Sequence, residues 1–277
     1  MDMSFNLFIK GVACIGLLTF FTDAAHAERP GDKAWLQGAI FLPKLDTDAR
    51  FDLSGQIDTG TEIDFESDLG LKDRDPVLQL SGGVRLSKRF RAEAEYFALK
   101  RQAEVKLGKE IIWEDTVYNV GAEVRAGYDS DLIRAAVGYS FVRKPDLEVG
   151  ARIGAHVVKY TLFIEGEANV NGGGAGVRRK EENLTVPLPN AGLYLNYDIS
   201  RTFAVHAGAD YFQIKLGKYK GRLTNLSAGV SARIHRNVGV GVQYRHTAYF
   251  YRVRSDDLEG SLNYSLSGPV ALVEIIF

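Results

Sequence analysis

Five histidines and 35 acidic residues are the side chains from which acid–base or metal chemistry could be assembled. A hydrolytic dyad needs a histidine within hydrogen-bond reach of a carboxylate or of a serine that it activates. His206 and Asp210 share one phase of an extended segment, but four residues separate them. At roughly 3.3 Å per residue that is about 13 Å, too far for a dyad. His246 is followed by Thr247 and Ala248, so a serine on the same strand face is missing, and His26 lies in a leader-like segment. No catalytic residue is assigned. The carboxylates of Asp46, Asp48, Asp52, Asp58, Glu62, Asp64, Glu66 and Asp68 offer hard oxygens to a divalent cation, but they lack the spacing of a calcium loop and read as a solvated acidic loop. Asn171–Gly176 is glycine-rich without the Gly-Lys-Ser/Thr ending of a phosphate-binding loop. Neither a metal site nor a cofactor site is assigned.

The remaining charges recur with a period of two, which is strand spacing. From Leu147 to Val157 every odd position is apolar, whereas the even positions are Glu148, Gly150, Arg152, Gly154 and His156. The same alternation runs through Leu226–Ile234 and Val238–Tyr244. One face is purely apolar and the other carries glycine, small polar residues and single charges. A transmembrane barrel needs that division, with lipid on one face and a polar lumen on the other. The polar phase places Arg85, Arg91, Glu93, Glu95, Arg134, Glu148, Arg152, His156, His206, Asp210, Arg233, Arg245 and Glu274 in the lumen, together with Asp198. Opposite charges confined there are expected to pair, because an isolated buried charge costs several kcal/mol.

The elements that carry these residues can be drawn from the turns. Ser87–Phe90, Arg143–Asp146, Ser200–Thr202 and His235–Asn237 are tight, whereas Leu45–Asp75, Ala103–Thr116, Thr161–Glu182, Gly217–Gly221 and Arg254–Glu259 are long or polar. Short periplasmic turns and long external loops give an up-and-down antiparallel β-barrel of about ten strands, at 33–44, 76–87, 90–102, 117–142, 147–160, 184–199, 202–215, 221–234, 237–252 and 259–277. Phe90, Phe141, Tyr197 and Phe203 flank the short turns, and Tyr96, Tyr211 and Phe250 fall nearer the other rim, as interfacial belts require. In the last strand the apolar phase is even at Leu262, Tyr264 and Leu266 but odd from Ala271 to Phe277, which predicts a bulge at Gly268-Pro269.

Residues 1–27 read as a signal peptide: Lys10, an apolar stretch from Gly11 to Phe21, then Ala25-His26-Ala27, with cleavage before Glu28. Residues 28–277 then form the barrel, with a long external loop at 45–75. Cys14, the only cysteine, falls in the leader, so the mature chain carries no thiol. Removing Lys10, Asp2 and Asp23 leaves 33 charges of each sign, which gives no reason to expect a nucleic-acid partner.

Ile63-Asp64-Phe65-Glu66-Ser67-Asp68-Leu69-Gly70-Leu71, together with Gly260-Ser261-Leu262 and Gly268-Pro269, resembles segments of small Gram-negative outer-membrane barrels of the OmpA/OmpW-like kind. The resemblance implies fold and outer-membrane location, and no activity. The terminal Ala271–Phe277 strand, apolar at alternate positions and ending in an aromatic, is similar to the signal read by the barrel-assembly machinery. The expected partners are outer-membrane lipid and lipopolysaccharide, the latter through Arg178-Arg179-Lys180 or through Lys215, Lys218, Lys220 and Arg222. The expected role is structural or surface-interacting and non-catalytic. A narrow channel for small solutes is the alternative, and a surface enzyme acting on lipid or peptide is third.

Overall fold

A computed structural model describes residues 33–52, 60–170, 176–217, 219–254 and 259–277. The leader, with Ala25, Ala27 and Glu28, lies outside them, as do Asp58 and Lys218. The chain forms fourteen strands: β1 (Ala34–Phe41), β2 (Lys44–Asp52), β3 (Ile63–Asp64), β4 (Val77–Arg85), β5 (Phe90–Lys106), β6 (Ile111–Trp113), β7 (Thr116–Tyr118), β8 (Glu123–Arg143), β9 (Leu147–Val170), β10 (Gly176–Asp198), β11 (Phe203–Leu216), β12 (Tyr219–His235), β13 (Val238–Arg254) and β14 (Glu259–Ile276). β1 and β2 are one wall strand interrupted at Leu42-Pro43, since both pair with β14. With that strand the wall is a closed antiparallel ring of ten, sealed by β1 against β14. β3, β6 and β7 lie off the ring, pairing with β2, with each other and with β9.

The four tight turns stand where the sequence places them. Phe277 and Ala34 exchange backbone hydrogen bonds at the same end as those turns. The opposite end is taller than expected. Thr161–Val170 and Gly176–Glu182 are not loop but the continuation of β9 and β10, and Leu45–Asp52, expected as loop, is strand.

Side-chain chemistry explains the extra height. Near the short turns, outward residues are apolar and exposed, such as Leu78, Val84, Ile133, Val137, Ile153 and Val230. Higher up the same outward phase turns polar, with Lys100, Gln102 and Glu104 on β5, Asp131 and Asp129 on β8, and Lys159 on β9. The inward phase inverts in the opposite sense. On β9, Glu148, Arg152 and His156 give way to Val158, Tyr160, Leu162 and Ile164, all fully buried. The lower half is therefore dressed for lipid outside and a polar lumen inside. The upper half is dressed as a water-soluble β-protein with an apolar core.

This inversion corrects the bulge expected at Gly268-Pro269. β14 pairs with β13 in unbroken register from Val238↔Ile275 to Arg254↔Glu259. Even residues face inward throughout, and what changes near Gly268 is the chemistry of the interior, not the phase of the strand.

The upper core is completed by the segment after β2. Ile63, Phe65, Leu69 and Leu71 are buried against β5, β8 and β14, and Gly70 supplies the left-handed turn between the last two leucines at φ 69°. Above them Trp113 stacks on Phe51 with ring centroids 4.2 Å apart. Tyr118 donates its hydroxyl to the Ile164 carbonyl at 3.0 Å.

Burial pushes the Tyr118 phenol up to about 12. A raised folded-state value means that stability is complete below the unfolded value near 10 and is lost as pH rises toward 12. Urea midpoints followed by tryptophan fluorescence in a Trp35→Phe background should therefore fall between pH 10 and 12, and Tyr118→Phe should flatten that fall.

Candidate functional site

Below the apolar core the lumen holds a cavity of about 280 Å³. Its lining runs from Trp35, Arg85, Asp198 and Arg233 at the short-turn end to Gln79, Glu95, Arg134 and Arg245 beneath the core. Each expected lumen residue except His156 lines this cavity or is bonded to a residue that does. His156 is fully buried in the layer above, its Nδ1 2.9 Å from the Tyr249 hydroxyl.

The charges sit on neighbouring strands because the ladder puts them there. Arg91 and Glu93 on β5 face Gly138 and Ala136 on β8, whose small side chains leave room for long ones to cross the lumen. Arg152 grips Asp210 with two hydrogen bonds, Nε–Oδ1 at 2.6 Å and Nη2–Oδ2 at 2.8 Å. Asn225 adds a third at 2.8 Å. Glu93 is reached by Arg91 at 2.6 Å, Arg134 at 3.5 Å and Arg152 at 3.6 Å. Arg85 closes on Glu148 at 3.0 Å. Arg245 closes on Glu95 at 2.5 Å, and Gln37 donates to Glu274 at 2.5 Å. The network is cross-braced and every carboxylate in it is engaged, which is what a confined low-dielectric lumen demands.

Two close approaches hold it in place. Arg91 stacks on Tyr194 with its guanidinium carbon 3.5 Å from the ring centroid. Tyr194 in turn lies over Gly150 of β9, where a Cβ would stand 2.2 Å from the ring and 2.5 Å from the Tyr139 carbonyl. The Tyr194 hydroxyl is 2.8 Å from Ser140 Oγ, which bonds Glu148. Only glycine at 150 lets the ring lie flat enough to reach Arg91, Ser140 and, through Ser140, Glu148.

The cavity has a ceiling. Tyr128, Tyr160, Tyr249 and Tyr264 are all buried and pack in mutual contact, with centroids 4.9 Å apart for Tyr128–Tyr264 and 6.0 Å for Tyr128–Tyr160. Phe65 of the inserted segment sits edge-on to Tyr128. Glu66 beside it is tied to buried Arg101, to the Thr47 amide at 2.8 Å and to Thr47 Oγ1 at 3.0 Å. Arg101 also reaches Thr47 Oγ1 at 2.6 Å and the Lys72 carbonyl at 3.0 Å.

The acidic loop is thus largely a set of clamps. Glu62 pairs with Arg50 and Asp68 with Lys109. Asp64 accepts from the Glu66 and Ser67 amides. Burial alone would raise the Asp64 carboxyl, but those amides and Lys109 hold it below its usual value. Among the described residues no group of three metal-ligating side chains converges.

One constellation was not legible in the sequence. His206 lies between Asn196 on β10 and Ser231 on β12, with Nδ1 2.9 Å from the Asn196 side chain and Nε2 2.7 Å from Ser231 Oγ. The outline is that of a nucleophilic triad, but its protons run the wrong way. The Asn196 amide satisfies its neighbours only when oriented with its oxygen accepting from Arg91 Nη1 at 3.1 Å and its nitrogen donating to the Leu195 carbonyl at 3.2 Å, an assignment that turns the amide nitrogen toward His206 Nδ1. Nδ1 is the acceptor, Nε2 carries the proton, and Ser231 receives a hydrogen bond instead of losing one. His246 points outward to Ser267 at 2.6 Å.

No family model matches the chain, and no curated protein matches it. Solved structures do. The outer membrane protease OmpT from Escherichia coli aligns at 9% identity and a TM-score of 0.55, covering 88% of this chain and 97% of that one. The Pseudomonas putida toluene transporter TodX aligns at 10% identity with a TM-score of 0.37, over 90% and 91% of the two chains. Neisserial surface protein A aligns at 12% identity with a TM-score of 0.35, over 90% and 100%. The similarity to OmpT is one of fold: the chain has the outer-membrane β-barrel fold, with apolar residues where lipid lies.

Proposed function

We propose that this outer-membrane barrel is non-catalytic and non-conducting, a structural or surface-interacting protein closed toward the outside by its own plug. The observation that carries the reading is the tyrosine ceiling with Phe65, Leu69 and the Glu66–Arg101 clamp above it. Tyr128, Tyr160, Tyr249 and Tyr264 with Phe65 and Leu69, all buried, fill the section above the cavity, and a close-packed layer of that kind opposes the passage of water and ions. The paired lumen charges support it further, since a conduit for ions needs groups that can exchange partners with the solute. The histidines add no support for an enzyme: His156 is bound to a tyrosine, and His206 holds the wrong tautomer for activating Ser231.

The test is single-channel recording on the refolded barrel, with folding checked by heat-modifiable gel mobility. Silence is the expected result for the folded protein. Reproducible steps that change when Arg152 or Glu148 is neutralised would instead make the lumen a channel.

A further inference from the structure

The two basic clusters on the upper wall differ. On β10 two of the three cations are spent: Arg179 pairs with Glu165 at 2.8 Å and Glu181 at 2.6 Å, and Lys180 with Glu114 and Asp115 at 2.8 and 2.7 Å, while Arg178 reaches the Val177 carbonyl at 3.1 Å. On β11–β13 they are not. Lys220 faces Arg252 across the ladder, Arg222 faces Phe250, and Lys215 faces Lys220. Lys220, Arg222 and Arg252 surround the Phe250 ring, each 5.5–5.6 Å from its centroid. None of the four cations has an ion pair among the described residues, and the outward residues of the adjoining β14 face are Ser261, Asn263, Ser265 and Ser267.

Like charges held this close on a rigid sheet repel one another. A fold keeps such an array at a cost unless an anion joins it. The height on the wall says which anion. Leu226 is the last apolar outward residue of β12 and Phe250 that of β13, and Arg222, opposite Phe250 in the ladder, lies about 13 Å beyond Leu226 at roughly 3.3 Å per residue. That is headgroup level, with Phe250 as the interfacial aromatic beside Arg222 and one step below Lys220 and Arg252.

We propose that Lys220, Arg222, Arg252 and Phe250, with Lys215 at the margin, form a binding site for the phosphoryl groups of an outer-leaflet glycolipid of the lipopolysaccharide type. The guanidinium groups of Arg222 and Arg252 hold phosphoryl oxygens with paired hydrogen bonds, Lys220 adds a point charge, and the acyl chains lie on Leu226, Val230 and Val242 below. The site is independent of whether the lumen conducts.

The experiment measures binding of the refolded barrel to phosphatidylcholine vesicles containing lipopolysaccharide, beside vesicles with dephosphorylated lipopolysaccharide and vesicles with phosphatidylglycerol. The triple variant Lys220→Gln/Arg222→Gln/Arg252→Gln should bind lipopolysaccharide at least tenfold more weakly. The charge-matched variant Lys100→Gln/Arg125→Gln/Lys159→Gln on the far wall should stay within twofold of the parent. Dephosphorylated lipopolysaccharide should bind the parent about as weakly as intact lipopolysaccharide binds the first triple variant.

A second reading separates binding from folding. In zwitterionic detergent without lipopolysaccharide, the first triple variant should unfold at a higher temperature than the parent, and with lipopolysaccharide at a lower one. If the triple variant does not fold, Arg222→Lys/Arg252→Lys keeps the charge, loses the paired hydrogen bonds and should still weaken binding severalfold. Equal binding by parent and variant, an equal loss in the far-wall control, or equal affinity for phosphatidylglycerol would each overturn the proposal.

Discussion

Replacing Glu66 with alanine should destabilise the upper half of the barrel by about 3–5 kcal/mol, because it leaves the Arg101 guanidinium buried without its counter-charge. Arg101 is 3% exposed and wedged over the Tyr128 ring, so water cannot replace the carboxylate without lifting the plug. Glu66→Gln should cost less, since the amide oxygen still accepts from the Thr47 amide. Urea titration followed by tryptophan emission in a Trp35→Phe background, which leaves Trp113 as the emitter, reads the loss where it occurs. An unchanged midpoint in Glu66→Ala would mean that the clamp contributes nothing and that Phe65 and Leu69 hold the segment alone.

The second large effect belongs to the lumen. Asp210 is 1% exposed and receives Arg152, Arg134 and Asn225. Asp210→Ala takes the two short hydrogen bonds from Arg152 and leaves it and Arg134 sharing Glu93 at 3.5–3.6 Å, and should cost about 3 kcal/mol. Replacing both partners, as in Arg152→Met/Asp210→Leu, should recover most of that loss, because the expensive element is the unpaired charge and not the missing pair. Denaturant midpoints for Arg152→Met, Asp210→Leu and the double give the coupling directly. Equal losses in Asp210→Ala and the double variant would mean that Arg152 already finds another acceptor in Glu93.

The lower half of this protein was legible and the upper half was not, for a physical reason. A strand that separates lipid from a polar lumen prints strict alternation, so the turns at Ser87–Phe90 and His235–Asn237, the lumen phase of Arg85 and Glu148, and the ring of ten could be read from residues alone. Above the bilayer the same strands separate water from an apolar core, and the pattern reappears with its faces exchanged. At the crossover both phases are apolar, as at Val157-Val158, and the change in β14 imitates a bulge. Glu66 and Arg101 stand 35 positions apart, and nothing in an acidic stretch marks the one carboxylate that turns inward. His206, Asn196 and Ser231 meet only through register across three strands, and the tautomer depends on a fourth residue, Arg91.

The place where the ring closes also sets the order in which the molecule can be assembled. Gln37 and Glu274, 237 positions apart, bond across that closure, and β14 is the strand that holds both halves of the first wall strand. The inserted segment hangs from β2, so its partners in the core, Tyr264 and Leu266 among them, arrive only when β14 does. Until then the chain is an open sheet with an unseated stopper and a ceiling short of one tyrosine. Loop closure over that length is entropically expensive before any contact offsets it, which makes seating a late and slow event. Once the ring is shut, its contacts must break before any of that entropy is regained, which raises the barrier to reopening.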